Sequence, residues 1–473
     1  MRVLHVGSGF RPWRRGGLVA YVEDLAGEQL RRGHEVSYFF SGRQYPRARG
    51  PRLRRWDRDG MRMLEVINSP LYDHGRQPEL EVAEPQLERM LEDILAEVQP
   101  EVVHVQELAG LPFSVLDVIE RHGAPSVVTL QDYFPVCSTF KLIDADGHVC
   151  TRREIGEDCA ATVAAEGRDP GLMVEATLEH LVRHTRGLRR FSKLWLSDRW
   201  HRTTRRIGAA EARRRARRSV GPEPAAFQRR REHNIERLNR SDRVIAMSNR
   251  VAEIYASLGV DQARLETIHL TLAHIERLTP RRARGLADGR PLTFATLAGF
   301  ESEPKGALLL IEAMRLLADR ARDGRFRLLV FGFVEPRFRE MAAGLPGVEI
   351  RRAFRPAALD EILDEVDVGL MPSVWEEAYG YAGVEFLAKG IPVIANAIGG
   401  MPDYTREGET GWLNRSCSAE ELAQIMGRIV DEPGQVVELN WRLIAERESV
   451  VKPMRRHADE MDAVYRDVVA ASA

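Results

Sequence analysis

Short apolar runs rich in β-branched residues alternate with helix-length amphipathic stretches along most of the chain, and this rhythm restricts the fold more than any other feature. Val3 to Val6 is the first such run, ended by GSGF; GGLVAYVEDLAGEQLRRGHEVSYFF then reads as an amphipathic helix, a Gly-His turn and a second strand. PEVVHVQE and PSVVTLQD are two more runs, with LPFSVLDVIERHG as a helix between them, and SDRVIAMS and ARLETIHL continue the series. Strands separated by helices pair in parallel, because a parallel neighbour needs a long crossover to return to the same end of the sheet. From about Leu292 the pattern restarts with LTFATLAG, the helix GALLLIEAMRLLADRA, the strand FRLLVFGF, VEIRRAF, the helix ALDEILDEV, the strand DVGLMPS and a helix from Ala419 to Val430. The expectation is an α/β protein of two domains, residues 1–285 and 286–450, connected through TPRRARGLADGRP. They are expected to face a cleft, where ligands of such proteins gather. A charged helical segment, 451–473, follows and can cross back to the first domain.

The length of 473 residues agrees with more than one core. Hydrophobic residues at 44% and charged residues at 29% exclude a disordered chain. A formal net charge of -1 argues against binding nucleic acid through bulk charge. MRVLHVGSGF lacks the apolar core of a signal peptide, and no run approaches the roughly 20 apolar residues that span a bilayer. A cytoplasmic location is therefore expected, with the four cysteines as reduced thiols.

The even charge balance conceals one asymmetry. Residues of about 160–240 leave the strand-helix rhythm and carry RGLRRF, RWHRTTRR, EARRRARR and FQRRREHN on helical-looking sequence. They read as a helical, arginine-rich insertion in the first domain. Two roles stay open for it: a solvated charged face, or a basic surface that meets an anionic lipid, a membrane leaflet or an anionic acceptor. Nucleic acid fits poorly, because no aromatic stacking pattern accompanies the arginines.

Chemistry concentrates in SVWEEAYGYAGVEFLAKGIPVIAN, from Ser373 to Asn396. Glu377 and Glu385 flank a turn in which Gly380 permits a sharp reversal. Val384, Phe386, Leu387 and Ala388 read as the buried side of a helix closed by Lys389-Gly390. A helix over most of that interval would set the two acids roughly 80° apart, able to face one cleft. Spacing alone leaves a solvated loop acid and a dipole-answering acid equally open. Gly16-Gly17 and Lys305-Gly306 each stand at a helix start, where uncovered amides attract phosphate. Gly399-Gly400 follow a strand and can offer amides to a ligand or serve only the turn. GSGFRP opens like a dinucleotide fingerprint, but Pro12 stands where the third glycine belongs, so no nicotinamide or flavin is expected. Cys137, Cys150 and Cys159, with His148 between them, lack the C-x2-C pairs of zinc sites and read as a structural loop, and His104 reads as a structural strand residue.

HVGSGFRPWRRGG, DRVIAMSNRVAEIYASLGV, PKGALLLIEAM, VDVGLMPSVWEEAYGYAGVEFLAKGIPVIAN and IGGMPDYTREGETGWL, in this order and at this spacing, resemble a family 4 glycosyltransferase of the GT-B fold. The resemblance covers nearly the whole chain except the arginine-rich insertion. It implies two Rossmann-like domains, the first for the acceptor and the second for a nucleoside-diphosphate sugar, with retention of configuration, no metal and no cofactor. The acceptor could be a glycan, a lipid-linked or a small molecule, in polysaccharide or glycoconjugate synthesis, with contact to the inner face of an anionic membrane as a consequence of the arginines. By this resemblance Glu377 and Glu385 are the E-x7-E pair, Glu385 taking ribose hydroxyls and Glu377 the transferred sugar. The amides around Tyr379, Gly380 and Tyr381 would face the diphosphate, Lys305 would neutralise the leaving group, and Gly16 and Gly17 would close over it. Gly299, Gly399 and Gly400 fall in the donor loops. Two departures stand out. Phe300 follows Gly299 where relatives place an arginine, and Gln131 in TLQD replaces a histidine, so it can hydrogen-bond a sugar but cannot carry a proton at neutral pH. They keep two alternatives in view: a GT-B protein that binds nucleotide sugar or glycan with little or no transfer, and an arginine-rich interaction scaffold.

Overall fold

The computed structural model describes residues 1–11, 13–14, 16–44, 50–71, 75–165, 222–283, 290–354 and 356–472. RGLRRF, RWHRTTRR and EARRRARR, and Pro12, lie outside these residues. The chain divides into two compact units, Met1–Ala246 with Ala252–Thr267 and Glu460–Ala473, and Met247–Val251 with Ile268–Asp459.

The first unit holds an eight-stranded sheet of β1 (Arg2–Ser8), β2 (Glu35–Ser41), β3 (Arg52–Arg58), β4 (Met61–Ile67), β5 (Val102–Val105), β6 (Ser126–Leu130), β7 (Arg243–Ala246) and β8 (Leu265–Thr267). Its order is β3-β4-β2-β1-β5-β6-β7-β8. The central strands are buried on both faces, which is why they read as continuous apolar runs rather than alternating ones. The sheet is not purely parallel, since β3 pairs antiparallel with β4 through Asp59-Gly60, at φ of 50° and 85°. Two residues at positive φ match the twist of a tight hairpin, and the arginines of β3 keep this edge polar.

FQRRREHN is a solvated face only in part, with Arg229, Glu232 and His233 exposed. It lies in the helix Pro224–Arg240, whose Arg230, Arg231, Asn234 and Arg237 are buried. Arg230 is 1% exposed; its Nε donates to Glu81 at 2.5 Å, its Nη2 to the Phe134 carbonyl at 2.8 Å, and the guanidinium lies over the rings of Phe113 and Phe134. Arg231 donates to the carbonyls of Val136 and Arg152, and Arg237 to Asp117 and the Val82 carbonyl. Guanidinium groups survive burial when their N–H groups find acceptors. The helix therefore staples the chain around 134–136 to the first unit.

The second unit holds β9 (Leu292–Thr296), β10 (Phe326–Val330), β11 (Val348–Ile350), β12 (Val368–Met371), β13 (Val393–Asn396) and β14 (Gly411–Asn414), in the order β11-β10-β9-β12-β13-β14. All pairings are parallel. The unit begins at Ile268 rather than near 286, and extends to Asp459 rather than 450. TPRRAR is no free connection: Thr279 N–H donates to Asp360, Arg281 N–H to the Lys389 carbonyl, and Asn440 accepts from Ala283 N–H. The final helix, Met454–Ser472, counts with the first unit from Glu460 onwards. There Tyr465 meets Gln29 and His104, and Asp462 pairs with Arg32. No helix of the described residues is long and apolar enough to cross a membrane.

Candidate active site

The loop after β12 gathers the acids of the second unit. Gly306, at φ +81°, precedes the helix Ala307–Leu316, and a Cβ there would stand 2.0 Å from the Pro372 carbonyl oxygen. Only glycine permits that approach. It brings Lys305 against the next turn, so that its Nζ lies 2.7 Å from Glu377 Oε2 and 5.0 Å from the centre of the Trp375 ring. Trp375 Nε1 donates to the same oxygen at 3.0 Å, and Ser373 Oγ at 3.3 Å. The anion that a lysine beside a helix start requires is thus Glu377 itself.

Glu385 sits on the helix Tyr381–Ala388, with Oε1 2.7 Å from His274 Nε2. That helix begins at Tyr381, so half of the interval between the acids is loop and the 80° wheel estimate does not apply. Gly380 caps the helix at φ +82°; Gly383 N–H donates to its carbonyl at 3.0 Å, while the amides of Tyr381 and Ala382, at the start of the turn, have no intrahelical acceptor. The side chain of Tyr379 is not aimed at a ligand. It is buried, stacked on His269 at 5.5 Å and edge-on to Tyr381 and Tyr404, and burial holds its phenol neutral. Tyr404 fills the space that Gly383 leaves, 2.3 Å from where a Cβ would be. Its buried hydroxyl, beside Gly380, has no hydrogen-bond partner among the described residues. A buried, unpaired hydroxyl is costly and marks a place for a ligand or water.

The amides of Gly399 and Gly400, expected to be open to a ligand or to serve the turn, are engaged within the loop itself. Gly399 N–H donates to Glu376 Oε2 at 3.2 Å and Gly400 N–H to the Glu377 carbonyl at 2.7 Å. A Cβ on either would fall within 2.5 Å of backbone in Glu377 or Ala378. Glu376, buried, is gripped by Arg250 at 2.6 Å. Gly299 likewise packs against the Phe333 carbonyl, and Phe300 is 0% exposed in the core of the second unit.

In the first unit, Gly16 has φ +129°, with no heavy atom within 4 Å of a Cβ position, and Gly17 opens a helix with no acid in its first turn. Gln131 directly follows β6, its Nε2 donating to Gln106 Oε1 at 2.9 Å. His104 is buried against Thr129, Tyr465 and Gln106, a structural residue. Arg14 pairs with Glu107 at 2.8 Å. Burial, then the neighbouring Glu107, pushes Asp132 up to about 7; burial raises Glu107 against the pull of Arg14. Cys137, Cys150 and Cys159 are free thiols around one small cavity, Cys159 raised to about 11 by burial. Among the described residues the group with ligand atoms close enough for a metal is Asp144, Asp146 and His148, on a loop. Sequence reasoning missed Trp375, Glu376, Arg250, His274 and Tyr404. Trp375 and Glu376 adjoin Glu377, but Arg250 and His274 reach their glutamates across 126 and 111 positions, with no local signal.

Residues 15–271 match the family model described as Glycosyltransferase Family 4, and 291–432 the one described as Glycosyl transferases group 1. The chain is 28% identical to a D-inositol 3-phosphate glycosyltransferase of Streptomyces griseus, over 48% of this chain and 54% of that protein. It is 30% identical to the putative colanic acid biosynthesis glycosyltransferase WcaL of Salmonella typhimurium, over 39% of this chain and 46% of that protein. It thus spans about half the length of these curated relatives. Among solved structures it is similar to sucrose-phosphate synthase from Thermosynechococcus elongatus, with a TM-score of 0.62 at 16% identity over all of both chains. Anabaena Alr3699/HepE in complex with UDP and glucose gives 0.59 at 13% identity, over 98% of this chain and 99% of that one. At these identities the likeness shows the fold alone, which is GT-B.

Proposed function

The chain belongs to glycosyltransferase family 4, and from that premise we propose that it transfers a sugar from a nucleoside-diphosphate sugar to an acceptor hydroxyl with retention of configuration. The observation that carries this reading is the ion pair of Lys305 and Glu377, 72 positions apart, beside a helix start with uncovered amides. On donor binding the pair separates. Lys305 turns to the diphosphate, which also meets the amides at Tyr381, while Glu377 accepts hydrogen bonds from the sugar hydroxyls. Glu385 and His274 together offer an acceptor and a ring nitrogen to the ribose diol. As the glycosidic bond to phosphate breaks, negative charge grows on the leaving diphosphate, and a preorganised ammonium stabilises it without moving. In this reading the charge is met by Lys305 and amides, and no metal is used.

A screen of UDP-, GDP-, ADP- and dTDP-sugars by thermal shift and hydrolysis tests it, with Glu385→Ala as control. A solved neighbour was crystallised with UDP-glucose, so UDP-sugars come first. A ligand at 100 times its Kd adds about 2.7 kcal/mol to stability. One donor should raise Tm and be slowly hydrolysed, and Glu385→Ala should lose both effects. A shift without hydrolysis, even with acceptors present, would favour the binding-only alternative that Phe300 motivates. No shift at millimolar donor would sink the reading.

Tyr404→Phe isolates the unpaired hydroxyl, because the ring that fills the space at Gly383 is kept. Donor Kd should rise about five- to tenfold, the loss of one hydrogen bond of about 1 kcal/mol, while the ligand-free Tm holds or rises. Unchanged donor affinity by calorimetry would show that the donor leaves this hydroxyl alone.

A further inference from the structure

Glu107 and Asp132 follow β5 and β6, adjacent parallel strands whose carboxyl ends are where α/β sheets bind ligands. Each carboxylate is held by one oxygen. Arg14 Nη2 donates to Glu107 Oε1 at 2.8 Å, and Phe134 N–H to Asp132 Oδ1 at 2.8 Å. Glu107 Oε2 and Asp132 Oδ2 accept nothing from the described residues. Gln131 Oε1 is buried and likewise without a partner. It cannot exchange places with its amide nitrogen, because Gln106 Oε1 accepts from Nε2 while Gln106 Nε2 is spent on His5 and His104. Burial pushes His5 down to about 4, so this support stays uncharged.

The result is three unfilled acceptors on two neighbouring strand ends. Gln106, Glu107, Gln131 and Asp132 also line one cavity of about 20 Å³, otherwise walled by apolar side chains such as Phe113 and Leu116. That is room for one water-sized group. The charge is lopsided too. Arg14 is the one cation in contact with either carboxylate among the described residues, and nearby Arg230 is committed to Glu81. A phosphate would meet carboxylate oxygens here, at a cost that grows with burial.

Resting on the glycosyl-transfer reading, we propose that this cluster binds the acceptor, and that it takes a non-anionic polyol whose hydroxyl or ammonium donors fill Asp132, Glu107 and Gln131. A polyol carrying a phosphate at the same end is rejected. Asp132 and Glu107 are acceptor-binding residues on this view, and Gln131 does without a proton because it only has to accept a hydrogen bond.

Asp132→Asn tests this with little risk to folding, since Asn Oδ1 can still accept from Phe134 N–H. The full chain is assayed with whichever donor it hydrolyses, against methyl α-glucoside, glucosamine and glucose 6-phosphate and the galactose and mannose counterparts, with product read by mass spectrometry. We expect transfer to the neutral or amino series, with each phosphate at least tenfold slower than its unphosphorylated counterpart. Asp132→Asn should raise acceptor KM at least fivefold. The wild-type acceptor KM should also fall as pH rises through about 7, as Asp132 loses its proton, and the variant should lack that step. The charged or titratable groups acting on Asp132 are Glu107, Arg14 and Arg230, with the Tyr255 hydroxyl on its carbonyl. Preference for the phosphorylated sugars, an unchanged acceptor KM in the variant, or no transfer to any member while donor hydrolysis persists would each overturn the proposal. Absence of donor hydrolysis would instead remove the transferase reading beneath it.

Discussion

Lys305→Ala should lower kcat for sugar transfer by about 10²- to 10³-fold, the loss of roughly 2.7 to 4 kcal/mol that follows removal of one preorganised charge from a developing anion. The effect is expected at the upper end, because the position where relatives place an arginine is filled by Phe300, which is buried in the core. Stability should move little. The side chains of the Lys305–Glu377 pair are 30% and 16% exposed, and solvent screening leaves such a pair about 0–1 kcal/mol. Glu377 would still hold Trp375 Nε1 and Ser373 Oγ. Steady-state hydrolysis and transfer, with Tm as control, separate the two effects. A variant that keeps more than a tenth of wild-type kcat would show that Lys305 is not the group that meets the leaving diphosphate.

The largest loss of stability is expected from Arg230→Ala. Glu81 and Arg230 are 1% and 2% exposed as side chains, so truncating the arginine strands a carboxylate in the core. Breaking a buried pair from one side costs about 3–5 kcal/mol. The variant also frees the carbonyl of Phe134 and empties the space between two aromatic rings. Arg229, one position away, pairs with Glu223 in solvent, with side chains 49% and 65% exposed. Arg229→Ala should shift stability by no more than about 0.5 kcal/mol. Thermal or urea melts of the two variants side by side decide the matter. Similar small shifts in both would mean that FQRRREHN is, after all, a surface charge run.

These neighbours show where sequence reasoning reaches its limit. In FQRRREHN the arginines look alike, yet Arg230, Arg231 and Arg237 point inward and Arg229 points out. The periodicity of a helix is visible in a sequence, but an arginine in the inward stripe reads as polar, and nothing local announces that Glu81, 149 positions earlier, will meet it. The hairpin of β3 and β4 was more legible than the parallel rhythm allowed, since Asp59-Gly60 is a tight-turn signal.

By itself the sequence determined the two α/β units, through hydrophobic period and helix-length spacing, and its resemblance to family 4 pointed to Glu377, Glu385 and Lys305, whose spacing alone left their roles open. Where the units divide, what Gly399 and Gly400 do, and which acceptors stay unfilled around Asp132 were decided only by the tertiary structure. Gly399 and Gly400 look like anion-binding amides until Glu376 and Glu377 are seen to occupy them. Hydrogen-bond satisfaction and burial belong to pairs of atoms distant in the chain, and no local pattern encodes which donor reaches which acceptor.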